Sequence, residues 1–133
     1  MIEADTLRLP FPDDSFQIVC VAFGLRNLCD SLAGLREMVR VCARNGKVVI
    51  LEFSTPRRGV LAKMYRWYLE RVLPRIGQTL ARNRLGAYNY LPASVAEFPQ
   101  GDALAAMMRV AGLREVAIHR LTFGIVSLYI GTK

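Results

Sequence analysis

The sequence has one histidine, His119, and only three cysteines, Cys20, Cys29 and Cys42, with no CxxC pair among them. That scarcity argues against a zinc centre, a histidine-based metal site and a disulfide framework, and fits a reducing cytoplasm. No run of 18 apolar residues occurs, so no transmembrane helix is expected. A basic leader is also missing: Glu3 and Asp5 stand where its positive charges would be, so no signal peptide is expected. Repeats and low-complexity linkers are absent as well. What remains is a chain of 133 residues, 53% hydrophobic and 22% charged, enough for one domain with a core.

Acidic residues are nearly lacking in one segment. Residues 57–84 hold eight basic side chains and one acid, Glu70, so this stretch alone carries the net +7 and the rest sums to zero. Within it Leu61, Met64, Tyr65, Tyr68, Leu69, Val72, Leu73 and Ile76 recur every three or four residues. That spacing predicts an amphipathic helix, kinked near Pro74. Such a segment either meets an anionic partner or is a solvated helix covering the core.

Elsewhere the pattern alternates between strand and helix. "DSFQIVCVAF" and "KVVILEFS" are near-continuous apolar runs, which suit a parallel sheet covered on both faces. Between them, Asp30 or Ser31 can cap a helix through "SLAGLREMVRVC", with Asn45-Gly46 expected to end it. This is a βαβ unit. A second helix, "GDALAAMMRVAG", is expected to be capped by Asp102 and closed by Gly112. "REVAIHRLTFGIVSLYIGTK" predicts two strands meeting near residues 122–124 as an antiparallel hairpin, with His119 on an edge. One stretch fits uneasily: in "VAFGLRN", Arg26 and Asn27 follow an apolar strand with no break, although a buried unpaired guanidinium is costly. Spacing alone favours an ion pair for Arg26, for example with Glu52.

The motifs "EADTLRLPFPDDSF", "VAFGLRN", "RVCARNGKVVILEFS", "YNYLPASVAEFP" and "TFGIVSLYIGTK" resemble, in order and over nearly the whole chain, the ubiquinone/menaquinone biosynthesis C-methyltransferases, the UbiE/COQ5 family. The resemblance implies an α/β fold of the class I, Rossmann-like kind, parallel strands ending in an antiparallel hairpin. It implies only the C-terminal portion of that fold, a single partial domain over 1–133, with 57–84 as a basic lid or membrane-facing insertion. The first strands and the Gly-rich cofactor loop have no counterpart, since no GxGxG occurs. Ala43-Arg44-Asn45-Gly46 stands where the family has Lys-Pro-Gly-Gly.

The implied donor is S-adenosyl-L-methionine, and the implied substrate a polyprenyl benzoquinol or naphthoquinol. Asp5 would read the adenine amine and Thr6 supply a backbone N–H. Ala22, Phe23 and Gly24 would line the cofactor at the strand's carboxyl end, where ligands of open α/β sheets sit. Arg26 would stabilise the phenolate that forms as a ring carbon is methylated, and Asn27 would orient the hydroxyl or a proton-relaying water. Tyr88, Tyr90 and Phe98 would form part of the ring pocket, though aromatics in a loop also serve as local core. No metal is implied. The expected location is cytoplasmic, peripheral at an anionic inner membrane. Two other readings stay open. The chain is a non-catalytic or split-enzyme fragment, begun at an internal methionine, that pairs through a free strand edge with itself or with a missing N-terminal half. Alternatively, the basic segment binds nucleic acid; this ranks last, since no nucleic-acid-binding motif accompanies it.

Overall fold

The computed structural model describes residues 3–55, 67, 71, 94–95 and 97–133. Most of the basic segment, and both Tyr88 and Tyr90, lie outside them. The first strand, β1 (Phe16–Ala22), pairs in parallel with β2 (Cys42–Phe53) through Val19↔Val48 and Val21↔Ile50. Helix α1 (Ser31–Val41) makes the crossover between them. Asp30 caps it, its Oδ1 accepting the Ala33 N–H at 2.9 Å, and Leu35, Met38 and Val41 form its buried stripe. A second described helix, α2 (Asp102–Val110), precedes the hairpin β3 (Arg114–Leu121) and β4 (Val126–Thr132). The hairpin folds back so that β4 lies beside β2, giving the order β1-β2-β4-β3. His119 is exposed on edge strand β3, as expected.

Paired residues share a sheet face, so the register divides the sheet cleanly. Val21, Ile50, Tyr129 and Ile118 form one cross-sheet row. This face meets Leu35 and Met38 of α1 and Leu104 and Met108 of α2 in a single core. The opposite rows, Cys20–Val49–Ile130–Ala117 and Ala22–Leu51–Leu128–His119, point away from both helices.

Two expected boundaries are corrected. Asn45-Gly46 does not end α1. The helix stops at Val41, and β2 has already begun at Cys42. The pair belongs to a bulge: the register steps from Phe16↔Cys42 to Ile18↔Lys47, so β2 uses more residues than β1 over that interval. Asn45 takes φ 60°, and a Cβ on Gly46 would stand 2.7 Å from the Ala43 carbonyl oxygen and 2.8 Å from that of Gln17. Glycine is needed for close backbone approach. Nor does Asp102 cap α2. Gly101 does, at φ 60°, ψ −124°, a conformation essentially reserved for glycine. Its N–H donates to the buried Tyr129 hydroxyl at 2.8 Å. Asp102 is the first helical residue, where a carboxylate favours the helix dipole.

The loop before β1 is fastened by one guanidinium. Arg40 of α1 pairs with both oxygens of Glu37 at 2.7 and 2.8 Å and with Asp13 at 2.6 Å. It also donates to the carbonyls of Phe11 and Leu9, while Glu37 accepts the Leu9 N–H at 2.8 Å. At the other end of the chain, Lys133 ties Asp14 to the carbonyls of Arg40 and Cys42.

Gly46→Ala should destabilise the domain by about 1–3 kcal/mol through overpacking, read as a lower urea midpoint at unchanged slope. A second expectation concerns pH. The hydrogen bond from Arg40 holds the Glu37 carboxyl below its ordinary value. A depressed native value adds stability above the ordinary carboxylate range and loses it as pH falls through the native value. Stability should therefore decline on acidification below about pH 4.5, and Arg40→Met should flatten that decline when unfolding is measured across pH.

Candidate active site

The site is built where β1 and β2 end together. Beyond Ala22, the Phe23 N–H still donates to the Leu51 carbonyl at 2.8 Å, so the ladder runs one residue past the strand. Phe23 then turns to φ 55°, a left-handed conformation unfavourable for a bulky residue and common at functional turns. Gly24 beside it has an ordinary φ of −115°; the conformational demand sits on Phe23. A short 3₁₀ turn, Leu25–Asn27, follows. Leu25 is fully buried in the core, which anchors the turn and leaves Arg26 against the end of β2.

On β2 the core-facing positions run Val48, Ile50, Glu52. A carboxylate in that row must be paired to remain charged. The Arg26 Nη1 meets the Glu52 Oε2 at 2.7 Å, with side chains 9% and 2% exposed. The same nitrogen donates to the Phe23 carbonyl at 2.7 Å, and the Arg26 backbone N–H reaches Glu52 Oε1 at 3.3 Å. The guanidinium lies 5.3 Å from the centre of the Phe53 ring, a cation–π contact. Phe53 in turn packs on Phe23, with centroids 4.5 Å apart. Arg26 Nε is buried and has no hydrogen-bond partner. Asn27 is exposed beside it, its Nδ2 3.4 Å from the Phe23 carbonyl.

The turn therefore brings Phe23, Gly24, Arg26 and Asn27 together, with Ala22 exposed on the outer sheet face next to them. Asp5 and Thr6 lie apart, in the loop clamped by Arg40. Asp5 Oδ1 accepts the Leu7 N–H at 2.9 Å, which orients the exposed carboxylate. Thr6 lines an apolar trough of about 360 Å³ along β1, together with Phe11, Ile18 and Met38. Phe98 is half-buried against the core.

Phe53 was not singled out in the sequence, although its place next to Glu52 at a strand end marked it. A cavity of about 300 Å³ at the same end of the sheet was also missed. Ser54, Gln100, Arg120, Phe123 and Ser127 line it, and the Ser54 hydroxyl meets Ser127 Oγ at 2.9 Å and the Gly124 carbonyl at 2.8 Å. Its residues come from three stretches of chain, 54–55, 100–101 and 120–127, and no local motif joins them. Among the described residues no cluster of His, Cys, Asp and Glu could hold a metal, and no helix is long and apolar enough to cross a membrane.

The architecture is shared with solved methyltransferases. A SAM-dependent methyltransferase from Thermotoga maritima superimposes with a TM-score of 0.69 at 19% identity, over 99% of this chain and 63% of that one. Human N-acetylserotonin methyltransferase, solved in complex with SAM, gives 0.61 at 16% identity over 99% of this chain and 33% of that one. At these identities the likeness shows the fold: part of a class I methyltransferase sheet. Sequence relatives are nearer. Demethylmenaquinone methyltransferase of Deinococcus radiodurans is 48% identical over 131 residues, 98% of this chain and 54% of its own length. A ubiquinone/menaquinone biosynthesis C-methyltransferase UbiE of Geobacter sulfurreducens is 48% identical over 125 residues, 94% of this chain and 48% of its own. The chain thus spans about half the length of the curated relatives it matches. The ubiE/COQ5 methyltransferase family matches residues 1–133 throughout, and the chain belongs to that family.

Proposed function

We propose that this chain carries the ring-activating part of an S-adenosylmethionine-dependent C-methyltransferase acting on a polyprenyl quinol, of the demethylmenaquinol or ubiquinone-precursor class. The observation that supports it most is Arg26: a buried guanidinium at the carboxyl end of β1, braced by Glu52 and the Phe23 carbonyl, with Nε unpartnered.

When bound, S-adenosylmethionine supplies an electrophilic methyl group on a sulfonium. The ring carbon must then be electron-rich, which a phenolate achieves. Arg26 stays protonated and stabilises the developing oxyanion by charge and hydrogen bonding. Because Nη1 is committed to Glu52 and Phe23, the remaining face of the guanidinium meets the oxygen. Asn27, beside it, orients the hydroxyl or a water that carries its proton away. Glu52 acts through Arg26 and is a positioning residue.

The described residues fit one end of the donor. Asp5 keeps a carboxylate oxygen without a partner among the described residues, suited to the adenine amine, and Thr6 can offer its N–H. Ala22, Phe23 and Gly24 would border the same ligand. For the methionine and ribose no GxGxG is present. The basic segment 57–84, with Trp67 58% exposed, suits a lid under the polyprenyl tail at an anionic membrane surface. Phe98, with Tyr88 and Tyr90, is proposed for the ring pocket. A second reading, a chain inactive alone, is favoured by the exposure of β1 and the missing glycine loop.

Calorimetry of S-adenosylmethionine against the chain alone should show weak binding or none; micromolar affinity would refute an incomplete donor site. In a preparation that does bind the donor, methyl transfer to demethylmenaquinol should fall about 10²–10³-fold in kcat for Arg26→Lys. Unchanged turnover would remove Arg26 from the mechanism. Glu52→Gln should cost about 3–5 kcal/mol of stability by leaving a buried cation uncompensated, seen in chemical denaturation.

A further inference from the structure

The inner face of the sheet changes character at its carboxyl end. Along β2 and β4 it is apolar through Val48, Ile50 and Tyr129. It then turns polar at Glu52 and Ser127, which are partners in register, and at Arg120 of β3, which pairs with Ser127 in turn. Ser54, two residues beyond Glu52, keeps the same face, its N–H still donating to the Ile125 carbonyl at 2.8 Å. Glu52 is taken up by Arg26. The two serines are buried as well, and the ion pair makes no use of them. They lie at the base of the cavity of about 300 Å³, with Gln100 and Gly101 in its wall and the exposed Arg120 and Phe123 at its rim.

The hydroxyl protons of that base are accounted for. Ser54 Oγ is 2.8 Å from the Gly124 carbonyl and 2.9 Å from Ser127 Oγ. A carbonyl only accepts, so the Ser54 proton goes to Gly124, and the Ser127 proton goes to Ser54. Ser127 Oγ is then left as an acceptor with no donor among the described residues. The Gln100 amide is committed too: its Oε1 accepts the Thr55 N–H at 2.8 Å and its Nε2 donates to the Val95 carbonyl. An entering ligand must therefore bring its own proton to Ser127, while Arg120 donates to it from the rim. Phe123 is 85% exposed at φ 56°, a bulky ring held outward by a backbone unfavourable for it, and offers its face to a flat ligand. A hydroxyl on an aromatic ring meets all three demands, since it donates, accepts and carries a face to stack.

We infer that this cavity seats the second hydroxyl of the quinol, across the ring from the one that Arg26 faces. Ser127 accepts its O–H, Arg120 donates to the same oxygen, and Phe123 covers the ring. Neighbouring strands lie about 4.8 Å apart, close to the width of one ring with its two oxygens. Glu52, which holds Arg26, and Ser127 are neighbours across that spacing. The subsite rests on the quinol reading of Arg26 and adds to it a means of selecting a ring with two opposed hydroxyls. Ser127 and Arg120 set specificity and take no part in moving the methyl group.

Calorimetry on the full chain under nitrogen, with naphthohydroquinone and α-naphthol as probes, tests this. The chain should bind naphthohydroquinone about five- to tenfold more tightly than α-naphthol, which lacks the second hydroxyl, the scale of one hydrogen bond. Ser127→Ala should bring the ratio to within about twofold while leaving the α-naphthol affinity unchanged. Arg120→Gln, at an exposed position where the fold is not at risk, should narrow the ratio as well. Equal affinity for the two probes, or binding of neither, overturns the proposal, and so does a preference that both variants retain. Arg26→Lys separates this subsite from the catalytic reading. It should weaken both probes alike and keep their ratio; if it changes neither affinity while the Ser127-dependent preference stands, the catalytic reading fails and the subsite remains.

Discussion

The ion pair between Arg26 and Glu52 is the constraint around which the carboxyl end of the sheet is arranged. Each member is nearly excluded from water, so neither is tolerable alone. Glu52 can sit in the core-facing row of β2 only because the turn after β1 delivers a cation to it. That delivery depends in turn on Leu25, whose burial fixes the 3₁₀ turn, and on Phe23, whose left-handed backbone redirects the chain at the strand end. The aromatic pair of Phe23 and Phe53 shields the guanidinium from one side. A charge at the end of an apolar strand is thus part of a small preorganised assembly. Its cost in desolvation is offset by the carboxylate, a carbonyl and a ring, while the buried Nε–H is left without a partner.

A different device holds the loop that carries Asp5 and Thr6. Arg40 gathers Glu37, Asp13 and two loop carbonyls, while Lys133 joins the end of β4 to the same region. Bidentate guanidinium–carboxylate geometry gives direction as well as attraction. Because Arg40 is also on α1, the loop, the crossover helix and the bulged start of β2 are located by a single helix. Errors in that helix would reach the loop and the bulge together.

Much of this was legible in the sequence because it is written locally. The apolar runs of β1 and β2, the Asp30 cap and the antiparallel hairpin all follow from adjacent residues. Even the Arg26–Glu52 pairing was foreseeable, since two opposite charges closed neighbouring strands of one βαβ unit. The misread boundaries were long-range. Asn45-Gly46 looks like a helix stop in isolation; its true use depends on the Gln17 carbonyl of another strand coming within reach of Gly46. By type Asp102 is the better cap; the positive-φ backbone of Gly101 and its N–H bond to the Tyr129 hydroxyl, distant in sequence, place the cap one residue earlier. Ser54 and Ser127 meet across a strand pair and carry no local signature at all.

The same logic separates the two faces of the sheet. On the inner face, sequence pattern and burial agree: every second residue of β2 is apolar or paired, and helices cover it. On the outer face they disagree, because β1 and β2 are written as strands buried on both sides while β1 is largely exposed. Local choices in a folded chain are ordinarily consistent with its global packing. An apolar parallel strand left at an edge is also an invitation to pair. The disagreement is sharpest at Phe16 and Ile18, 38% and 64% exposed. Pattern and exposure part company along the same strand whose end presents Arg26.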